Sequence, residues 1–157
     1  MTVDILQQTD PYHIDGRQSE TAAAVAQGVR RMLRAAGIAT ICEFVLANGQ
    51  RADVAGIAAD GMIHIVEIKS SVQDFRCDSK WHEYLDYCDF YYFAAPVEVD
   101  STIFPEDTGL IVADAYGAEI IRTADKRVLS AARRRSLLVS FSQQAANRLH
   151  SAQDRML

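Results

Sequence analysis

Asp53, Glu67 and Lys69 stand within two strand-like runs, Arg51-Ala52-Asp53-Val54 and Ile65-Val66-Glu67-Ile68-Lys69. Successive side chains of a strand point to opposite faces, so Glu67 and Lys69 share one face while Ile68 takes the other. If the two runs pair as a hairpin, Asp53 reaches the same spot. Two carboxylates and an ammonium meeting at the edge of a core suit a hard divalent cation and an activated water. An all-oxygen donor set favours Mg²⁺ or Mn²⁺ over zinc.

The same residue types also make ordinary ion pairs on a solvated sheet face, worth roughly 0–1 kcal/mol each. Glu and Lys are mildly disfavoured in strands, and here they interrupt Val and Ile positions. An Asp followed at this distance by Glu-x-Lys is a pattern that chance supplies often. Its weight comes from the turns and helices that would position it.

Those elements are legible along the chain. Residues 1–16 read as an irregular lead-in, with Asp10-Pro11 and Asp15-Gly16 as turn signals. From Ser19 to Ala36 an apolar stripe at helical spacing (Ala22, Val25, Ala26, Val29, Leu33, Ala36) predicts a helix that Ser19 caps and Gly37 ends. Arg30, Arg31 and Arg34 decorate its polar side. Strands are expected over 38–47, 50–58 and 62–69, separated by Asn48-Gly49 and Asp60-Gly61 turns.

A helix is expected around 78–88, where Trp81, Tyr84, Leu85 and Cys88 follow helical spacing, and then a short strand from Phe90 to Ala95. A loop over 97–108 leads to a strand pair, 109–114 and 118–123, around Tyr116-Gly117. A last helix spans about Ser130 to His150. The order α-β-β-β-α-β, then β-β-α, suits an α/β fold with a central mixed sheet flanked by helices.

At 157 residues the chain supports one domain with a sizeable core, expected over 17–150, with 151–157 as a tail. No apolar run approaches the roughly 18 residues that cross a bilayer. The N-terminal stretch lacks a signal-peptide pattern, so a cytoplasmic protein with no membrane partner is expected. Cys42, Cys77 and Cys88 form neither a disulfide framework nor a zinc motif. The net charge of −5 argues at first against a nucleic-acid partner. Its distribution argues the other way: residues 122–157 carry +6 and residues 1–121 carry −11. A local basic face sets phosphate attraction, and Arg133-Arg134-Arg135 is its densest run.

The order of elements, with Asp late in one strand and Glu-Ile-Lys on the next, resembles the PD-(D/E)xK nuclease superfamily and its restriction-endonuclease-like αβββαβ core. The longer text from Arg51 through Val66-Glu67-Ile68-Lys69-Ser70-Ser71 and Lys80-Trp81-His82-Glu83-Tyr84 to Asp89 is similar to the MmcB-like bacterial DNA repair proteins. The resemblance implies that Asp53, Glu67 and the Ile68 carbonyl ligate Mg²⁺ or Mn²⁺, and that Lys69 orients the attacking water. It implies accessory roles for Lys80 and Tyr84, which resemble an optional fourth motif with Lys in place of Gln. Glu20 matches a first-helix glutamate by order, although helical phase sets it nearly opposite the apolar stripe. Ala52 replaces the proline of the motif.

The resemblance implies a metal-dependent DNA endonuclease acting in repair. The alternative is a DNA-binding or adaptor module on a nuclease fold, with little or no catalysis. Magnitudes favour a metal: phosphodiester chemistry requires lowering a barrier by on the order of 8–23 kcal/mol. One charge-assisted hydrogen bond from Lys69 contributes about 1.5–3 kcal/mol. The expected partner is DNA, with a two-fold homodimer and a repair-protein partner as further expectations.

Overall fold

Helix α1 (Glu20–Ala35) forms where the apolar stripe places it. Ser19 caps it, its Oγ accepting the Ala22 N–H at 3.1 Å. Gly37, at φ +78°, turns the chain off its far end. The coordinates are a computed structural model that describes residues 19–156, so the expected lead-in, 1–16, lies outside the described residues.

Six strands lie side by side in chain order: β1 (Ala39–Val45), β2 (Arg51–Ile57), β3 (Ile63–Ile68), β4 (Phe90–Ala95), β5 (Gly109–Ala113) and β6 (Ala118–Arg122). The first three form an antiparallel meander, β3, β4 and β5 run parallel, and β6 returns antiparallel. Both early turns have three-residue loops rather than two-residue ones. Leu46 N–H donates to the Gln50 carbonyl and Ala58 N–H to that of Met62, with Gly49 and Gly61 each at φ +83°.

The parallel pairs dictate what lies between them, because a parallel neighbour is reached only by a long crossover. The β3-to-β4 crossover holds a short helix, α2 (Val72–Arg76), and a 3-10 helix, Trp81–Tyr87, where one α-helix over 78–88 was expected. The tighter coil suits Trp81 and Tyr84, since residues three apart eclipse at three per turn. Both are buried, stacked on Tyr91 with ring centroids 5.8 and 6.4 Å away. The 97–108 segment is the second crossover, and its Val99 and Phe104 join the same core. β5 is therefore an interior strand, with Leu110 and Ile111 buried on opposite faces.

The sheet has a core on each face. One face, with Val54, Val66, Ile68, Tyr92 and Ile111, is covered by the Val25, Val29 and Leu33 stripe of α1. The other, with Phe44, Ile65, Phe93 and Leu110, is covered by both crossovers and by the last helix, α3 (Ala131–Asp154). That helix continues through residues 151–154, which the sequence reading assigned to a tail. Its side chains also close the outer edge of β1. Gln144 accepts from Val45 N–H at 3.0 Å and donates to Val45 O at 2.8 Å, and Arg148 donates to the Cys42 and Glu43 carbonyls.

Candidate active site

The ladder between β2 and β3 runs from Ile57↔Ile63 to Val54↔Val66. One residue further along, side chains take over the bridging. Asp53 N–H donates to Glu67 Oε1 at 3.1 Å, and Ile68 N–H donates to Asp53 Oδ2 at 2.7 Å. The two carboxylates are thereby fixed by each other's strand. Asp53 Oδ1 and Glu67 Oε2 receive no hydrogen bond among the described residues.

A local slip in strand phase lies at this end of the sheet, where the β1–β2 register passes from Cys42↔Val54 to Phe44↔Ala52. In β1, Ile41 and Phe44 belong to the same core although they are three residues apart. In β2, Ala52 and Ala55 do the same. The slip in β1 occurs at Glu43, which has φ +53°, the one non-glycine in the left-handed region among the described residues. Glu43 pairs with Arg51 and lines the cleft that holds Asp53 and Glu67. Sequence reasoning missed it. Its only signal was a charged residue inside an apolar strand, the same signal that singled out Asp53.

The cleft encloses about 350 Å³ and includes Lys69, Asp74 and Tyr84 in its wall. Lys69 is buried, and its Nζ pairs with Asp78 Oδ2 at 2.6 Å. Burial works to lower the Lys69 pKa, but the hydrogen bond and charge of Asp78, with the charges of Glu67 and Asp74, together outweigh it and the ammonium is held above its ordinary value. The carboxylates respond to the same desolvation in the opposite sense. Burial pushes Asp53 up to about 6 against the opposing Ile68 N–H. Glu67 is raised well above the usual carboxylate range by burial and by Asp53 beside it.

Of the residues anticipated for this site, Asp53, Glu67, Ile68, Lys69 and Tyr84 come together around the cleft. Tyr84 donates to the Arg51 carbonyl at 3.0 Å, tying the 3-10 helix to β2. Lys80 does not join them: it is exposed, and it precedes the 3-10 helix as its N-cap. At three residues per turn, positions four apart diverge by about a third of a turn, so Lys80 and Tyr84 do not share a face. Glu20 is exposed in the first turn of α1, whose neighbouring Ser19 and Ala22 line the cleft while Glu20 does not.

The three arginines of α3 have separate environments. Arg134 reaches inward and forks onto Asp89 at 2.6 and 2.7 Å, where the Asp89 side chain is fully buried. Burial alone would raise Asp89, but the Arg134 guanidinium and the Ile63 N–H hold its carboxyl below the ordinary value. Arg133 lies over the Tyr87 ring, 4.9 Å from its centroid, and donates to the Asp86 carbonyl at 3.1 Å. Arg135 is exposed.

A hard cation can be tested against these groups. Among the described residues no three His, Cys, Asp or Glu side chains converge into a ready metal cage. Two desolvated carboxylates, each with a free oxygen, do match the way Mg²⁺ is usually held, by one or two carboxylates with water completing its shell. Their pKa values are raised chiefly by burial, and by the charge of neighbouring carboxylates. The donor set fits a divalent cation held openly rather than caged.

Comparisons with known proteins agree with this architecture. The chain is similar to a protein of unknown function from Silicibacter pomeroyi, at 42% identity and a TM-score of 0.84, covering 88% of this chain and 94% of that one. No curated protein matches. Residues 9–156 match the family model described as DNA repair protein MmcB-like. This protein belongs to the MmcB-like DNA repair family.

Proposed function

We propose that this protein is a metal-dependent DNA endonuclease of the PD-(D/E)xK type, hydrolysing phosphodiester bonds during repair. The reading rests on the interlocked Asp53 and Glu67 carboxylates, each presenting one free oxygen beside Lys69. Asp53 and Glu67, with the Ile68 carbonyl, would hold Mg²⁺ or Mn²⁺. A bound divalent cation supplies Lewis-acid polarisation of the phosphate and a more acidic water. Lys69, charged and fixed by Asp78, orients water on the scissile side and balances charge on the phosphate. Supercoiled plasmid with Mg²⁺ or Mn²⁺ tests the reading. Nicking by the natural protein is expected, with loss of at least about 100-fold in Asp53→Asn and Lys69→Ala. Equal nicking by natural protein and both variants would overturn it.

A second reading is supported by the Lys69–Asp78 pair, which occupies the ammonium at 2.6 Å. On that reading the protein is a DNA-binding or adaptor module with little catalysis. DNA binding without cleavage on duplex, single-stranded, flap and branched substrates, with either metal, would favour it.

A further inference from the structure

The C-terminal half of α1 and the start of β1 form a second cleft, of about 580 Å³. Arg30, Arg31 and Arg34 line it together with Gln27 and Thr40, and no carboxylate does. None of the three guanidinium groups makes an ion pair among the described residues. Arg30 Nε is shielded from solvent and has no acceptor among the described residues. Buried donors are nearly always satisfied in native proteins, so an orphaned one calls for a partner.

Helix electrostatics do not account for the cluster. The negative end of the helix dipole favours a cation in the last turn, which explains Arg34 but not Arg30 one turn earlier. Like charges four apart oppose a helix. The surrounding chain is acidic, with −11 over residues 1–121. An anion between the guanidinium groups would relieve their repulsion and satisfy Arg30. The planar fork of arginine matches the oxygens of a phosphate.

The two clefts share the same elements. Ser19 and Ala22 of α1 and Glu43 of β1 line the carboxylate cleft, whereas Arg30 to Arg34 and Thr40 line this one. Three residues of strand correspond to about 10 Å. The step from Ala22 to Arg30 or Arg34 corresponds to about 12–18 Å of helix. At 3.4 Å per nucleotide of one strand, that spacing is about three to five nucleotides.

We infer that the Arg30–Arg31–Arg34 cleft binds a backbone phosphate of DNA, a few nucleotides from the group presented to Asp53 and Glu67. Only the second half of that statement rests on the nuclease reading. The test is fluorescence anisotropy of a short labelled duplex without divalent metal, over a salt series. It compares the full chain with Arg30→Gln/Arg31→Gln/Arg34→Gln, and thermal melts establish that both are folded.

The triple variant is expected to bind at least about 10-fold more weakly, with the slope of log affinity against log salt reduced by about 1–3. Natural protein that does not bind the duplex, or a folded variant with unchanged affinity and slope, overturns the inference. Melts with inorganic phosphate distinguish a small-anion site. Phosphate stabilising the natural protein but not the variant, with DNA affinity equal in both, also overturns it. Arginine-dependent binding without Mg²⁺-dependent cleavage sustains this inference while removing the nuclease reading. Cleavage with arginine-independent binding does the reverse.

Discussion

Asp53 N–H donates to Glu67 Oε1 at 3.1 Å, so the backbone of one candidate ligand positions the side chain of the other. Ile68 N–H returns the favour to Asp53 Oδ2 at 2.7 Å. The carboxylates therefore hold their places without a cation, at an electrostatic cost. Asp53→Asn and Glu67→Gln keep an acceptor oxygen and remove a charge. Each is expected to stabilise the metal-free protein at pH 7.5 by on the order of 1 kcal/mol, judged from the size of ordinary pKa perturbations. Mg²⁺-induced stabilisation should vanish in both. Melts with and without Mg²⁺ decide, and destabilised metal-free variants would contradict the account.

The pH dependence has a fixed sign. Asp53 is pushed up to about 6 from 3.8, and Glu67 is raised as well. Between the two Asp53 values the folded state keeps a proton that the unfolded state has lost, so stability falls as pH rises through that window. Metal-free protein should be more stable near pH 5 than near pH 7.5, by on the order of 1–3 kcal/mol. Mg²⁺ binding requires the ionised carboxylates, so its stabilisation should grow over the same range. Urea titrations at several pH values check both slopes.

Arg134→Ala strands the buried Asp89 charge, which also accepts from Ile63 N–H at 2.7 Å. A loss of about 3–5 kcal/mol is expected, as for other broken buried pairs. Arg135→Ala, at an exposed position, should stay within about 0.5 kcal/mol of the natural protein. Similar denaturation midpoints for the two variants would deny Arg134 its structural role.

Gly28 reverses a general rule. Replacing a mid-helix glycine by alanine ordinarily stabilises by about 1 kcal/mol. Here an added Cβ would collide with the main-chain carbonyl oxygens of Asp114 and Gly117, in the turn between β5 and β6. Backbone cannot swing aside as a flexible side chain can, so Gly28→Ala should destabilise by about 1–3 kcal/mol. A variant melting at or above the natural temperature would mean that α1 and this turn are less tightly apposed.

Periodicity made much of this architecture readable. The α1 stripe, the two X-Gly turns and the Phe90–Ala95 run each announce an element through local chemistry. Asp53, Glu67 and Lys69 were conspicuous because charge is costly inside apolar strands. What escaped depended on contacts distant in sequence. Trp81 and Tyr84 satisfy an α-helical and a 3-10 spacing equally, and packing on Tyr91 selects the tighter coil. Nothing local marks Arg134 as the partner of Asp89, forty-five residues away. The left-handed turn at Glu43 was equally hidden, since its carbonyl is held by Arg148 from α3.

Gln144 and Arg148 clasp the main chain of β1 where a neighbouring strand would otherwise lie. The last turns of α3 thus act as a plug against unwanted self-association, because a bare strand edge is a template for pairing with another molecule. A chain cut before Gln144 would carry an unguarded margin beside Glu43. Its first symptom would be sticky, poorly soluble material.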